Sequence, residues 1–170
     1  MTACNYKNER KAPKDQQHFF NQLELFDKEI NDVVKSRNTI QMNKVYNDQL
    51  KRLKAYNNKI IHKWIGCVDR VKYTKAFGGM LYVNFDKYQI SLSTDMLASK
   101  NDISNNELIK CFAKLKQGDW VMFDGKIDIE SSSFWRFEED YIIEHPFFEE
   151  IPKFSEQTID IIPIRVKLIK

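Results

Sequence analysis

The spacing of apolar residues changes at about Lys59 from a helical to a strand-like period, and this change constrains the fold more than any other feature. Before Lys59, apolar residues recur every three or four positions, as on one face of an α-helix. After it, apolar and polar residues alternate over short runs, as in strands that bury one face. The pattern therefore predicts an N-terminal helical segment followed by a domain built on a β-sheet.

The helical segment, residues 15–58, carries two apolar stripes that lose phase at residues 36–39. The first stripe is Phe19, Leu23, Phe26, Ile30 and Val33, and the second is Met42, Tyr46, Leu50, Leu53 and Tyr56. Asn38 or Thr39 is suited to cap a new helix. Two antiparallel helices and one long helix with a break both fit. A coiled-coil dimer through these helices is a further alternative, although each seam lasts only about two heptads, so the chain is expected to be a monomer or such a dimer.

The part after Lys59 predicts strands and one internal helix. Strand candidates lie at residues 60–73, 80–85, 88–93, 120–123, 134–143 and 159–169. Gly66 predicts a bulge or bend, Asp124-Gly125 predicts the end of the fourth strand, and Pro163 predicts an edge strand or a broken one. Residues 104–107 have the capping-box spacing at the start of the helix, and Gly118 follows its end.

This order of elements predicts an α+β fold: a five-stranded OB-type β-barrel with a helix between strands 3 and 4, preceded by an N-terminal helical hairpin. Alternate side chains from Ile65 to Phe123 are expected to fill the barrel, with Trp64 and Trp120 in the core or at its ends. Residues 1–14 are interpreted as a flexible polar tail or tether, residues 15–58 as the helical segment, and residues 59–170 as the barrel with a C-terminal extension. The path of residues 128–170 is left open.

Charge is unevenly distributed along the 170 residues. The net charge is +3 overall, made up of +6 for residues 1–63, +2 for residues 64–127 and −5 for residues 128–170. A nucleic-acid-binding domain usually concentrates positive charge on its binding surface, so the acidic last third disfavours nucleic acid as the partner of the barrel. No run of about eighteen apolar residues is present, so the sequence predicts no membrane-spanning helix.

Several motifs between Asn38 and Ile127 resemble the bacterial tRNA-anticodon-like family of small OB-fold proteins. Lys63-Trp64-Ile65-Gly66-Cys67-Val68 is similar to the family's Trp-x-Gly-x-Val first strand, and Leu115-Lys116-Gln117-Gly118-Asp119-Trp120-Val121-Met122-Phe123-Asp124-Gly125 is similar to a second family motif. Asp124 departs from the Ser that is common there. The resemblance implies an OB fold and, since many members look like lipoproteins of unassigned function, it implies no ligand.

The three cysteines match no metal-binding spacing. Cys67 and Cys111 are expected to be buried thiols that pack as small apolar side chains. Cys4 follows Met1-Thr2-Ala3, which is similar to the end of a bacterial lipoprotein signal, so Cys4 is a candidate for lipidation. The apolar stretch of such a signal is absent, and a chance match in a polar tail is the alternative. Lipidation would place the protein in the bacterial cell envelope; without it, a cytoplasmic location is the alternative.

The sequence carries no catalytic or cofactor motif, and its three histidines lack the neighbours of a metal site, so neither an enzyme nor a cofactor is predicted. OB folds bind ligands on the second and third strands and the adjacent loops. The candidate ligand-binding residues on this face are Lys72, Lys75, Phe77, Tyr82, Asn84, Gln89 and Ser91.

Two functions are compatible with this face. The favoured one is a non-catalytic binding or protein-interaction module for an unknown protein or small ligand, tethered to the envelope by a lipid anchor that is its only membrane contact. The alternative is a cytoplasmic single-stranded nucleic-acid-binding protein, in which Tyr82 and Phe77 stack on bases while Lys72 and Lys75 contact phosphates.

Overall fold

A computed structural model describes residues 12–74, 78–94, 103–130 and 157–169 of the chain. It contains three helices and five strands, and the fold is α+β, as predicted. The elements in chain order are α1 (Lys14–Lys35), α2 (Thr39–Lys54), β1 (Ile60–Thr74), β2 (Gly78–Phe85), β3 (Tyr88–Ser93), α3 (Ile103–Phe112), β4 (Trp120–Asp128) and β5 (Thr158–Ile169).

The two N-terminal helices form a hairpin within one chain. Arg37, at φ +52°, turns the backbone, and the Asn38 side chain caps α2 by accepting a hydrogen bond from the backbone N–H of Gln41 (3.1 Å). Both predicted stripes face the interior, because Phe19, Leu23, Phe26 and Ile30 of α1 and Met42, Tyr46, Leu50 and Leu53 of α2 are all buried. The apolar seams are thus covered inside the chain and do not form the exposed seam that a coiled-coil dimer would use.

The five strands close into a barrel in the order β1-β2-β3-β5-β4, with β4 pairing back onto β1. All neighbours are antiparallel except β3 and β5, which are parallel. Leu81 and Val83 of β2, Ile90 and Leu92 of β3 and Ile159 of β5 are fully buried in the interior. This strand order, with α3 between β3 and β4, is the OB arrangement that the sequence predicted.

Helices close both ends of the barrel. At one end, Phe20 of α1 packs against Trp64, Phe85 and Tyr88, with ring centroids 4.6–5.7 Å apart. At the other end, α3 lies so close to β2 that a Cβ on Gly79 would come within 3.3 Å of Phe112. The helical segment and the barrel therefore share one core.

The fourth strand is longer than predicted. Asp124-Gly125 does not end it, since β4 runs on to Asp128 and the pair lies at an irregularity in its pairing with β5. Gly125 is required there because a Cβ would lie 2.5 Å from the Ile161 side chain and 2.7 Å from the Ile162 carbonyl oxygen. Asp124-Gly125 reads as a turn signal in the sequence, but in the structure its glycine allows β4 and β5 to approach each other closely.

The structure refines the predictions for Gly66, for the start of α3 and for Pro163. Gly66 is not itself a bulge, since the irregularities of β1 lie between Ile61 and Trp64 and between Val68 and Arg70. Its lack of a side chain leaves room for Val83, which a Cβ at this position would approach to 2.8 Å. The helix α3 begins at Ile103, one residue before the predicted cap. Pro163 does not break β5, but it lies beyond Ile161, where the pairing with β3 ends. The strand candidate at 134–143 lies outside the described residues.

The two cysteines within the described residues differ. Cys67 is buried, as predicted, but it is disulfide-bonded and not a free thiol. Cys111 is a free, half-buried thiol whose Sγ donates to the Val166 carbonyl oxygen (3.4 Å). Burial raises the pKa of the Cys111 thiol, and the charge of Lys114 only partly opposes this. Cys4, the candidate for lipidation, lies outside the described residues.

Candidate functional site

The outer face of β1, β2 and β3 collects most of the predicted ligand-binding residues. The strand register places Arg70 of β1 opposite Tyr82 of β2, and Tyr82 opposite Ser91 of β3. One pair further along, Asn84 of β2 lies opposite Gln89 of β3. Because directly opposed residues on neighbouring strands point to the same side of a sheet, these side chains form one surface.

Tyr82 lies at the centre of a small basic–aromatic group, the Tyr82 cluster, formed by Arg70, Lys72 and Tyr82. The Arg70 guanidinium carbon lies 4.3 Å from the Tyr82 ring centroid, and the Lys72 ammonium lies 5.8 Å from it. Both distances are within the range of cation–π attraction. Asp69 lies 3.7 Å from Arg70 and neutralises part of this charge. The cluster therefore offers two cations and a half-buried ring to a ligand.

The polar part of the face is partly occupied by contacts within the protein. Gln89 is half-buried, and its Oε1 accepts a hydrogen bond from the Thr158 hydroxyl (3.3 Å). Ser91 is only 2% exposed, so its hydroxyl is not accessible to a ligand on this face. Asn84 and Tyr82 are half-buried and are the accessible polar groups at the centre of the face.

The sign of the charge reverses on the far side of β3. Asp160 of β5 lies opposite Ser91 and also opposite Asp128 of β4. Burial raises the pKa of Asp160 to about 6, and the charge of Asp128 adds to the increase. Around the barrel the surface therefore passes from the cations of β1, through neutral polar groups, to a carboxylate pair.

Five of the seven predicted ligand-binding residues, Lys72, Tyr82, Asn84, Gln89 and Ser91, come together on this face, while Lys75 and Phe77 lie outside the described residues. Sequence reasoning missed Arg70 because it drew its basic candidates, Lys72 and Lys75, from the turn after β1 and assigned no face to the residues before Lys72. The irregularity between Val68 and Arg70 puts Arg70 and Lys72 on the outer face together. The three-residue step between the apolar Val68 and Val71, where alternation requires two, was the available signal.

Within residues 12–74, 78–94, 103–130 and 157–169, no three His, Cys, Asp or Glu side chains gather closely enough to bind a metal ion. Over the same stretches, no helix has the length and apolar character needed to cross a bilayer.

Comparison with known proteins gives only distant likenesses. No protein-family model and no curated protein matches the sequence. Among solved structures, the chain is similar to OBody AM3L15 bound to hen egg-white lysozyme, with a TM-score of 0.42 and 13% identity over 68% of this chain and 80% of that one. A second, OBody AM3L09 bound to hen egg-white lysozyme, gives a TM-score of 0.41 and 13% identity over 68% and 85% of the two chains. Likenesses this remote carry no functional argument, so the assignment of an OB-type barrel rests on the strand order itself.

Proposed function

We propose that this chain is a non-catalytic binding module that recognises a protein segment or small ligand carrying a carboxylate on the outer face of β1, β2 and β3. The observation that carries the proposal is the Tyr82 cluster, in which two cations converge on one aromatic ring. Arg offers a planar set of donors that matches a carboxylate, and the Tyr82 ring beneath the Arg70 guanidinium holds that donor set in place. The sequence resemblance to the tRNA-anticodon-like family is consistent with such a role and names no ligand.

The charge pattern favours this partner over single-stranded nucleic acid. Binding of a nucleic-acid strand needs exposed aromatic rings on which bases stack and a positively charged groove that follows the phosphate backbone. Here Arg70 already covers the Tyr82 ring and is paired with Asp69. Asp160 and Asp128 would repel phosphates a strand's width away. A short segment with an acidic group at one end and a basic or polar group at the other would complement the cations of the Tyr82 cluster and the carboxylates of Asp128 and Asp160.

We further propose that the protein works in an oxidising compartment, such as the bacterial cell envelope. The disulfide at Cys67 supports this location, because glutathione and thioredoxin keep most cytosolic thiols reduced. Lipidation of Cys4, the tether that the sequence suggests, would require the disulfide partner of Cys67 to come from outside this chain, because Cys111 is free and the sequence has three cysteines. The cytoplasmic alternative would require Cys67 to be reduced in the cell.

The binding proposal can be tested by selecting peptides from a displayed random library against the full chain. We expect the selected peptides to be rich in Asp or Glu and to perturb backbone amide NMR signals of β1 and β2. The double variant Arg70→Gln/Lys72→Gln should bind them about tenfold more weakly or worse, since hydrogen bonds to charged groups each contribute about 1.5–3 kcal/mol.

The matched control is Lys110→Gln/Lys114→Gln, which removes the same charge from exposed positions at and just after the end of α3. Equal loss in both variants would mean that net charge and not the Tyr82 cluster governs binding. Titration with short oligonucleotides at two salt concentrations tests the alternative function, since phosphate binding weakens steeply with salt. Tight, steeply salt-dependent oligonucleotide binding that Arg70→Gln/Lys72→Gln abolishes would overturn the proposal.

A further inference from the structure

A second surface, on the outer side of β1, β4 and β5, combines exposed isoleucines with lysines. The register places Ile60 of β1 opposite Lys126 of β4, and Lys126 opposite Ile162 of β5. Ile60 is 47% exposed, and Ile164, two residues beyond Ile162, is 58% exposed. Lys59 and Lys63, one residue before and three residues after Ile60 in the chain, are also exposed. We name Lys59, Ile60, Lys63, Lys126 and Ile164 the isoleucine–lysine patch.

The residues at the centre of this patch have no acidic neighbours close in sequence, although Asp128 and Asp160 lie one same-face pair along β4 and β5, and Arg52 nearby is paired with Glu29 (3.6 Å). No Asp or Glu occurs in the sequence between residues 49 and 68, a stretch that also contains Lys51 and Arg52 of α2. Asp124, two residues before Lys126 on β4, is buried and paired with Arg165. Asp128 and Asp160 mark the border of the patch towards β3. A basic surface with aliphatic side chains at its centre is therefore exposed on the side of the barrel away from the Tyr82 cluster.

From this arrangement we infer that the isoleucine–lysine patch binds the surface of an anionic phospholipid membrane. Isoleucine side chains enter the boundary between headgroups and acyl chains, while lysines around them pair with lipid phosphates. This contact is separate from any lipid anchor and would orient the barrel with the Tyr82 cluster facing away from the bilayer.

Nucleic acid fits the same positive charge less well. A base needs an exposed aromatic ring for stacking. Tyr56, the aromatic residue beside Lys59, is half-buried and packs edge-on against Phe19 with ring centroids 5.0 Å apart. The Lys59 ammonium lies 5.2 Å from the centroid of the same ring. The exposed centre of the patch is aliphatic, which favours lipid over bases. The disulfide at Cys67 also indicates a compartment where membranes are available and nucleic acids are scarce.

The test is co-sedimentation of the full chain, without any lipid modification, with phosphatidylcholine vesicles and with vesicles containing about one quarter phosphatidylglycerol. We expect binding to the anionic vesicles only, and weaker binding as salt is raised. Lys59→Gln/Lys63→Gln/Lys126→Gln should reduce partitioning by about tenfold or more. Ile60→Ser/Ile164→Ser should also reduce it while leaving the charge unchanged.

The matched control is Lys28→Gln/Lys35→Gln/Lys110→Gln, which removes the same charge from exposed sites elsewhere, with circular dichroism verifying the fold of every variant. Equal loss in the control, or equal binding to neutral and anionic vesicles, would overturn the inference. So would absence of vesicle binding together with oligonucleotide binding that depends on the patch lysines. Arg70→Gln/Lys72→Gln should retain vesicle binding, so failure of this inference and failure of the proposed peptide-binding face give different results.

Discussion

Asp124 of β4 forms hydrogen bonds to both neighbouring strands, β1 and β5, at positions where their pairing with β4 is irregular. Its Oδ1 accepts a hydrogen bond from the backbone N–H of Lys63 (2.7 Å), a residue at φ +58° within the irregular part of β1. Its Oδ2 accepts from Nε of Arg165 (2.8 Å) and also from the terminal guanidinium nitrogen of that residue. A Ser at this position would be too short to reach both partners. Asp124 therefore holds β1 and β5 to β4 where their regular pairing fails.

Replacing Asp124 by Asn should destabilise the protein at neutral pH. Burial tends to raise the pKa of Asp124, but the hydrogen bonds from Lys63 and Arg165 outweigh it and hold the pKa below its ordinary 3.8. A lowered folded-state pKa gives stability that is present above about pH 4 and lost as the pH falls through the folded value. We expect Asp124→Asn to lower the free energy of unfolding by about 2 kcal/mol near pH 7 and by much less near pH 3, measured by urea denaturation. A loss of the same size at both pH values would contradict this role.

Asp160 should show the opposite pH dependence. Its pKa is raised to about 6, chiefly by burial, so the folded state retains a proton that the unfolded chain loses at lower pH. Its contribution to stability is therefore present below about pH 4 and lost as the pH rises through about 6. Asp160→Asn cannot ionise, so its melting temperature relative to the native chain should rise between pH 4 and pH 7. A difference that does not vary with pH would mean that Asp160 ionises freely.

At the scale of elements, helix α1 substitutes for a missing strand beside β1. The pairing of β1 with β2 reaches only to Cys67, which leaves the preceding backbone without a partner on that side. The side-chain amide of Gln16 fills the gap: its Nε2 donates to the Ile65 carbonyl oxygen (2.7 Å), and its Oε1 accepts from the Ile65 N–H (2.9 Å). Trp64 adds a hydrogen bond from its indole N–H to Asp15 (2.9 Å). The first turn of α1 is thus joined to the barrel by polar bonds as well as by aromatic packing.

Gln16→Met tests this junction, because it keeps the length of the side chain and removes both hydrogen bonds. Gln16 is fully buried, so the variant leaves a buried N–H and a buried carbonyl unpaired and should cost about 2–4 kcal/mol of unfolding free energy. Amide hydrogen exchange at Ile65 should accelerate more than exchange in the centre of β2. The control is Gln41→Met on the exposed side of α2, which should change stability by less than about 0.5 kcal/mol. Similar losses in both variants would show that the junction contributes little.

At the scale of the whole molecule, the disulfide at Cys67 lies where β1 passes from pairing with β4 to pairing with β2. Cys67 is opposite Trp120 of β4 and opposite Asn84 of β2. A covalent cross-link at this position restricts the unfolded chain and so favours the closed barrel. It also ties the stability of the barrel to the redox conditions around it.

Peptide mapping by mass spectrometry after alkylation in denaturant checks this state. Without reductant, we expect the alkylating agent to modify Cys111, which is free, and to leave Cys67 unmodified. After reduction, both should be modified, and the cross-linked peptide found before reduction identifies the partner of Cys67. Alkylation of Cys67 without reductant would contradict the disulfide and weaken the proposed oxidising location. The same map of protein isolated from membranes distinguishes Cys4 joined to Cys67 from Cys4 carrying a lipid, since one thiol cannot do both.

The candidate site was predictable only as far as its residues follow from alternation. Tyr82, Asn84 and Gln89 share a face because β2 and β3 alternate without interruption, and that regularity is visible in the sequence. Arg70 was not predicted, although it lies two residues from Lys72, because Lys72 was assigned to the turn after β1 and an irregularity at Asp69 shifts the faces of the residues before it. Asp160 was not predicted, because a parallel partner for β3 from the end of the chain leaves no mark on local periodicity.

Where the period of an element runs without interruption, the sequence alone was enough to predict the element and its buried face, as for Phe19 in α1 and for Leu81 and Val83 in β2. Burial of one face imposes a period on each element, and that period can be read without knowing what covers the face. The tertiary structure alone decided that β5 lies between β3 and β4, that Gln16 completes β1, that Asp124-Gly125 continues a strand and that Cys67 is cross-linked. Each of these depends on a partner many residues away, and partners are selected by close packing and hydrogen bonding in three dimensions, which a one-dimensional pattern of polarity does not record.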